Sequence, residues 1–426
     1  MEYLIGHVPA RENGKHMPYV NWQYETLNKF CNDVFRTFGF SEEDSAVISD
    51  VLLTADLYGI ESHGMQRMVR YHKGIEKGTI HVDERPEIVF ETPVSATIEG
   101  HSAMGQIISK FAMDLAIEKA KKSGMAMVTV RNGNHFGIAG YYTKMACDEG
   151  LIGIACTNSE AIMVPTFGRQ AMLGSNPIAI AAPADPYPFW FDASTSVVTR
   201  GKLEIYNKNG EPLPPVWALD AQGMPTTDAP DVLANIVGKN GGGIMPLGGA
   251  SEKTGSHKGY GWGMVCELFS SILSMGNTSD ECCTFDDKTG ICHGFIVIDP
   301  AIFGDPSEIR THLSEYLQKL RDSPVALDAE RIWTHGEKEH FNELRLREEG
   351  IPVNDNTMVE LANLCSYLDM DFGAYFEGYE LPAGADFFEG NYSTWLKANT
   401  TASRASAARC SSSKSSASSS SSYAWR

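Results

Sequence analysis

The sequence contains no Gly-x-Gly-x-x-Gly: Gly241-Gly-Gly243, Gly259-Tyr-Gly261 and Gly261-Trp-Gly263 all lack the third glycine. A standard doubly wound dinucleotide site needs those glycines for its tight turn and for close approach to a pyrophosphate, so such a site cannot be claimed. Gly-x-x-x-x-Gly-Lys-Ser/Thr is absent too, which removes a P-loop, and without Gly-x-Ser-x-Gly a serine hydrolase elbow has no support. No apolar run reaches the roughly 18 residues that a membrane-spanning helix needs. Zinc spacing is missing as well. Cys282-Cys283 and Cys292-His293 do not form Cys-x-x-Cys, and His335, Glu339 and His340 do not form His-Glu-x-x-His, so no metal site is expected.

Basic residues are scarce. Lys and Arg number 35 against 54 Asp and Glu, a formal charge of −19, which argues against nucleic acid or an anionic membrane as partner. A small anionic substrate needs only a few cations gathered in one pocket. The cysteines number nine, an odd and scattered set that fits a reducing compartment better than a disulfide framework. Residues 1–20 read as a loose leader without a secretory h-region, so a cytoplasmic globular protein is expected.

The chain, 426 residues with 42% hydrophobic content, is long enough for a large core. Ser41-Glu-Glu-Asp44 resembles a capping box, and Val47, Ile48, Val51, Leu52 and Ala55 follow at helical spacing up to Gly59. A second helix is predicted from about Gln106 to Lys122, stopped by Gly124. Met125–Val130 and Ile152–Thr157 read as strands around a helical piece, 138–149, a β–turn–helix–β unit. Further strands are expected at 177–183, 189–192 and 294–298, with helices at 259–273 and at 308–321 behind Ser307 as cap. The tract of roughly 207–256, with its Pro, Gly and Asp, reads as loop-rich. Residues 366–399 form an aromatic extension, and 400–426 a serine-rich tail too poor in apolar residues to fold.

Three segments carry candidate chemistry. Arg67 and Arg70 follow His63 at helical spacing, which would put an imidazole beside two guanidinium groups, a proton donor next to a carboxylate clamp. The competing reading is a helix cap at Ser62 with a solvated basic face. His135 lies in Asn132-Gly-Asn-His-Phe-Gly137, between a strand end and a helix start, where glycines let a ligand approach; an ordinary tight turn is the alternative. Lys258 opens a helix after a glycine tract and can hold an anion as a point charge, or simply face solvent.

Taken together, these segments resemble the malate/L-lactate/ureidoglycolate dehydrogenase family, the non-Rossmann NAD(P)-dependent 2-hydroxyacid oxidoreductases. The stretches that carry the resemblance are Asp56-Leu-Tyr-Gly-Ile-Glu-Ser-His-Gly-Met-Gln-Arg67, Gly133-Asn-His-Phe-Gly-Ile-Ala-Gly140, Gly174-Ser-Asn-Pro177, Phe191-Asp-Ala-Ser194, Arg200-Gly-Lys202, Pro246-Leu-Gly-Gly249, His257-Lys-Gly-Tyr-Gly261 and Trp333-Thr-His-Gly-Glu337. They cover about 22–365 in the family's order.

The resemblance implies a mixed α/β fold, with a helical part at about 21–95 plus 305–365 and a large mixed-sheet cofactor domain at 96–304. It implies NAD or NADP as cofactor and a small 2-hydroxy or 2-oxo acid as substrate, malate or lactate type. His63 or His135 would transfer the proton, Ser62 and Arg67 would line the substrate pocket, and no metal would be needed. Ser159, Asp192, Ala193, Ser194, Lys258, Gly259, Gly336 and Glu337 would contact the cofactor, and the protein would be a homodimer. Oxidation of ureidoglycolate, reduction of a cyclic imine acid, or a non-catalytic scaffold are the alternatives.

Overall fold

In this computed structural model, residues 19–284 and 288–382 are described. The serine-rich tail, most of the leader and the aromatic extension beyond residue 382 lie outside them. Residues 21–352 form one compact unit; Val353 onward, with Tyr19 and Val20, forms another.

The larger unit opens with β1 (Tyr19–Trp22), which straddles the division, and the helices α1 (Tyr24–Thr37), α2 (Glu42–Leu57) and α3 (Met68–Lys77). The Ser41 hydroxyl accepts the Asp44 N–H at 3.0 Å, the cap expected from sequence. Between α2 and α3 the chain forms two 3₁₀ turns, Glu61–His63 and Met65–Arg67, so the helical spacing from His63 to Arg70 is not that of one helix. Met65 N–H donates to the buried Asp56 carboxylate at 2.8 Å, and Gly64 packs so closely on that carboxylate that any Cβ there would overlap it. Asp56 thus braces the turn that presents His63 and Arg67.

A seven-stranded mixed sheet follows, built from β2 (Glu87–Thr92), β3 (Ser95–Glu99), β4 (Met125–Gly133), β5 (Ile152–Thr157), β6 (Ile178–Ala182), β7 (Phe189–Ala193) and β11 (Ile291–Ile298) in the order β2-β3-β4-β11-β5-β6-β7. Only the β3–β4 pair is parallel. The expected β–helix–β unit exists as β4, α5 (Ala139–Asp148) and β5, but β11 from far along the chain lies between its two strands, antiparallel to both. Alternate residues of β4 (Ala126, Val128, Val130) turn into a core shared with α4 (Gly105–Ser123), α5 and Phe295. Burying a side chain such as Phe295 stabilises by about 1.5–3 kcal/mol.

The tract 207–256 is not all loop. It holds α7 (Ala229–Gly238), capped by Asp228, and a small sheet of β8 (Ala218–Leu219), β9 (Pro225–Thr226) and β10 (Gly243–Ile244), packed with Leu203 of α6 (Arg200–Asn209). Strands of two residues leave no alternation to read. Next come α8 (Ser256–Glu267), which continues into a π turn at Leu268–Ile272, and α9 (Pro306–Arg321). Asp305, not Ser307, caps α9, accepting the Ser307 N–H at 2.8 Å. α10 (Glu337–Glu349) follows in this unit, and β12 (Ile351–Asn354) straddles the division. In the second unit, α11 (Asp355–Leu368) carries the described part of the aromatic extension: Tyr379 donates to Asp355 at 2.8 Å, and the rings of Phe372 and Phe376 lie 4.7 Å apart. No helix among the described residues is long and apolar enough to cross a membrane.

Candidate active site

β4 and β7 end, and β6 and β11 begin, along one edge of the sheet, and β5 ends there too. His135 follows the end of β4, Ser159 the end of β5, and Ser194 the end of β7. One edge therefore gathers His135, Ser159 and Ser194 from three separate strands.

The imidazoles of His63 and His135 stack, ring centres 5.4 Å apart and planes 26° from parallel. Both are part-buried. The Ser62 hydroxyl sits 2.8 Å from Nδ1 of His63. Nδ1 of His135 is 2.8 Å from the Tyr71 hydroxyl, which accepts a hydrogen bond from the buried Gln106 side chain at 2.8 Å. On both rings Nδ1 is engaged, while Nε2 has no hydrogen-bond partner among the described residues. Two Nε2 atoms are thus open to a bound molecule.

Burial holds the pKa of His63 down to about 3, with Arg67 and Arg70 adding to the effect. His135 is held well below its ordinary value, first by burial and then by Arg70, His63 and Arg67. Both rings are neutral at pH 7. Arg67 donates through Nε to the Ser62 carbonyl oxygen, which fixes its guanidinium beside His63. Neither Arg67 nor Arg70 has a carboxylate partner among the described residues. An anion that entered would neutralise this field and draw both pKa values back up.

A chain of hydroxyls runs along the same edge. Ser159 Oγ accepts the Ser175 N–H at 3.2 Å, and Ser194 Oγ donates to the Ser175 carbonyl oxygen at 3.1 Å. Asp192 accepts the Gly140 N–H at 2.7 Å, closing the first turn of α5, and burial pushes its carboxyl up to about 6. Ala193 lies between Asp192 and Ser194. Gly259 packs directly on Leu247, whose N–H bonds the Thr195 carbonyl oxygen at 2.9 Å, so the start of α8 lies against the Ser194 segment. Lys258 is exposed there and has no carboxylate partner among the described residues.

Gly336 and Glu337 lie by β7, where the Trp190 N–H bonds the His335 carbonyl oxygen at 3.1 Å. The Glu337 carboxylate is fully buried and already held by Arg321, Arg331 and Thr334. A bound molecule would meet this residue's backbone, not its side chain. Sequence reasoning misses Tyr71 and Gln106. Tyr71 stands four residues after Arg67 and eight after His63, a spacing that could have flagged it. Among the described residues every cysteine is free and no group of His, Cys, Asp or Glu could hold a metal ion.

The sequence pattern of malate/L-lactate dehydrogenases matches residues 22–362. The chain is 43% identical over 345 residues to a malate dehydrogenase of Pyrococcus abyssi, covering 80% of this chain and 93% of that protein. It is 36% identical over 361 residues to an L-sulfolactate dehydrogenase of Methanocaldococcus jannaschii, 83% of this chain and 98% of that one. The solved malate dehydrogenase of Entamoeba histolytica superposes with a TM-score of 0.80 at 35% identity, covering 83% of this chain and 99% of that chain.

Proposed function

The chain belongs to the malate/L-lactate dehydrogenase family, and on that premise we propose that it interconverts a small 2-hydroxy acid and its 2-oxo acid with NAD or NADP, His135 moving the proton. The observation that carries this reading is the stacked His63–His135 pair with open Nε2 atoms, set beside two guanidinium groups that form no ion pair among the described residues.

The residues present fit a dinucleotide. Ser159, Ser194 and the second oxygen of Asp192 can meet ribose hydroxyls, and Lys258 at the helix start can meet a pyrophosphate. A nicotinamide held there would supply the hydride acceptor for carbon 2 of the hydroxy acid, and the hydride donor in the reverse direction.

The chain's own part is charge and position. Arg67 holds the substrate carboxylate in a bidentate grip and so orients the hydroxyl toward the imidazoles. As the C2–H bond breaks, Nε2 of His135 takes the hydroxyl proton and the C–O bond becomes C=O. To accept there, the ring must carry its hydrogen on Nδ1, donating to the Tyr71 oxygen, whereas the free structure, with the Gly137 N–H 3.4 Å from Nδ1, favours the other tautomer, so the proton on the ring shifts when substrate binds; Tyr71 and Gln106 hold that edge of the ring. In reduction the same ring, protonated, gives the proton back. General acid–base help of this kind contributes about 10²–10⁴-fold. Arg70 would meet a second anionic group, which favours a malate- or sulfolactate-like acid over lactate.

We also propose a homodimer. The exposed apolar stretch of α8 and the residues after it, with Trp262 (52% exposed), Leu268 (44%), Ile272 (47%) and Met275 (83%), supports it. A cytoplasmic setting is proposed from the odd, scattered set of nine cysteines.

The test is nicotinamide absorbance with purified protein and oxaloacetate, sulfopyruvate, pyruvate and a cyclic imine acid, each with NADH and NADPH, and with ureidoglycolate and NAD⁺ or NADP⁺. Turnover of a dicarboxylate or sulfonate fits the reading; a protein that binds neither cofactor contradicts it.

A further inference from the structure

His293 lies on β11, in the middle of the sheet, paired with β4 on one side and β5 on the other, and it is fully buried. A buried imidazole is costly unless both nitrogens are bonded. Both are. Nε2 is 3.1 Å from the Asn134 carbonyl oxygen and Nδ1 is 2.8 Å from the Thr157 hydroxyl. A carbonyl only accepts, so the hydrogen is on Nε2; Nδ1 faces the Thr157 hydroxyl, whose one hydrogen it shares with the carbonyl oxygens of Cys292 at 2.8 Å and Asn158 at 2.9 Å. Burial pushes the ring's pKa down to about 3, which keeps it neutral.

The same ring stacks flat on Phe136, with centres 4.5 Å apart and planes 18° from parallel. Asn134 and Phe136 are the two neighbours of His135. One side chain therefore holds the main chain before that imidazole and the side chain after it. Gly133 permits the close approach, since a Cβ there would lie 2.9 Å from Nε2 of His293. Asn134 is held elsewhere too: its Nδ2 donates to the carbonyl oxygens of Ser102 and Ala103 at 2.8 and 2.9 Å, and its Oδ1 accepts from Thr289 at 2.7 Å. Its own carbonyl has the His293 N–H.

We propose that His293 is a positioning residue: its Nε2–H to Asn134 and its stack on Phe136 set the place and tilt of the His135 ring. This rests on the reading of His135 as the proton-transfer group. A residue that merely filled the core would be replaceable by any side chain of similar volume. A positioning residue is replaceable only by one that still donates to the Asn134 carbonyl. Glutamine can place an amide N–H where Nε2 stands; leucine cannot donate, and asparagine is too short to reach.

The experiment uses the full chain with His293→Leu, His293→Asn and His293→Gln, on the substrate and cofactor that the unaltered protein accepts. Melting temperature, cofactor dissociation constant, kcat and KM are read for each. The Leu and Asn variants should bind cofactor within about 2-fold of the unaltered protein yet lose about 10- to 100-fold in kcat, the scale of a misplaced catalytic group. Gln should restore most of it. Unchanged kcat in the folded Leu variant, or equal losses in Gln and Asn, would overturn the proposal, and the Gln–Asn pair decides it if Leu does not fold. Should the unaltered protein turn over none of the panel, the function reading fails by itself. The ring ¹⁵N shifts of His135 then decide: moved in Asn and restored in Gln supports the positioning role, and unmoved in both contradicts it.

Discussion

The Tyr71 hydroxyl lies 2.8 Å from Nδ1 of His135, the ring edge opposite the open Nε2. That bond ties a helix of the N-terminal region to a loop at the sheet edge, and Gln106 backs it from a third element, α4. The imidazole proposed to move the proton is thus held from behind by two neutral partners.

Removing the Tyr71 hydroxyl should leave the ring in place but loosen its orientation. Tyr71→Phe is expected to lower kcat about 10- to 100-fold with cofactor affinity unchanged. His135→Ala should lower kcat further, about 10²–10⁴-fold. Steady-state kinetics with a cofactor titration reads both; equal, mild losses from His135→Ala and His63→Ala would count against proton transfer by either ring.

The depressed pKa values set the pH dependence. A histidine already neutral in the free protein is a ready base, so kcat/KM for hydroxy-acid oxidation should not fall as pH drops from 8 to about 6. Reduction of the oxo acid needs the protonated ring and should quicken toward acid over the same range. An oxidation profile that titrates near 6.5 would show an imidazole of ordinary basicity.

Much of the site is legible in the amino-acid sequence. The glycines around His135 and the Ser62-His63-Gly64 segment mark the two histidines, and the apolar runs mark β4, α5 and β5. What is not legible is what the chain brings from a distance. β11 enters between β4 and β5 from more than a hundred residues away, and nothing local announces that pairing. Tyr71 and Gln106 read locally as an ordinary aromatic and a polar helix residue; only their meeting over His135 gives them a role. Helical spacing from His63 to Arg70 misleads because the Asp56 carboxylate, nine residues before Met65, breaks the segment into 3₁₀ turns.

The two guanidinium groups should separate by substrate. Arg67→Lys loses the bidentate grip and should raise KM for every 2-oxo acid. Arg70→Ala should weaken a dicarboxylate or sulfonate much more than pyruvate. Parallel effects of Arg70→Ala on both classes would remove its role in recognising the second anion.

A charge on the exposed apolar stretch tests the dimer. Ile272→Glu should shift the sedimentation coefficient from dimer toward monomer, whereas an unaltered monomeric protein would contradict the proposed assembly.

Hydride transfer is the central claim, and it can be followed atom by atom. Malate or sulfolactate carrying deuterium at carbon 2 is incubated with the protein and the oxidised nicotinamide cofactor, and the reduced cofactor is analysed by mass. Deuterium in the reduced nicotinamide is the predicted result. Cofactor reduced without the label, or no reduction by any 2-hydroxy acid although the cofactor binds, would contradict the account.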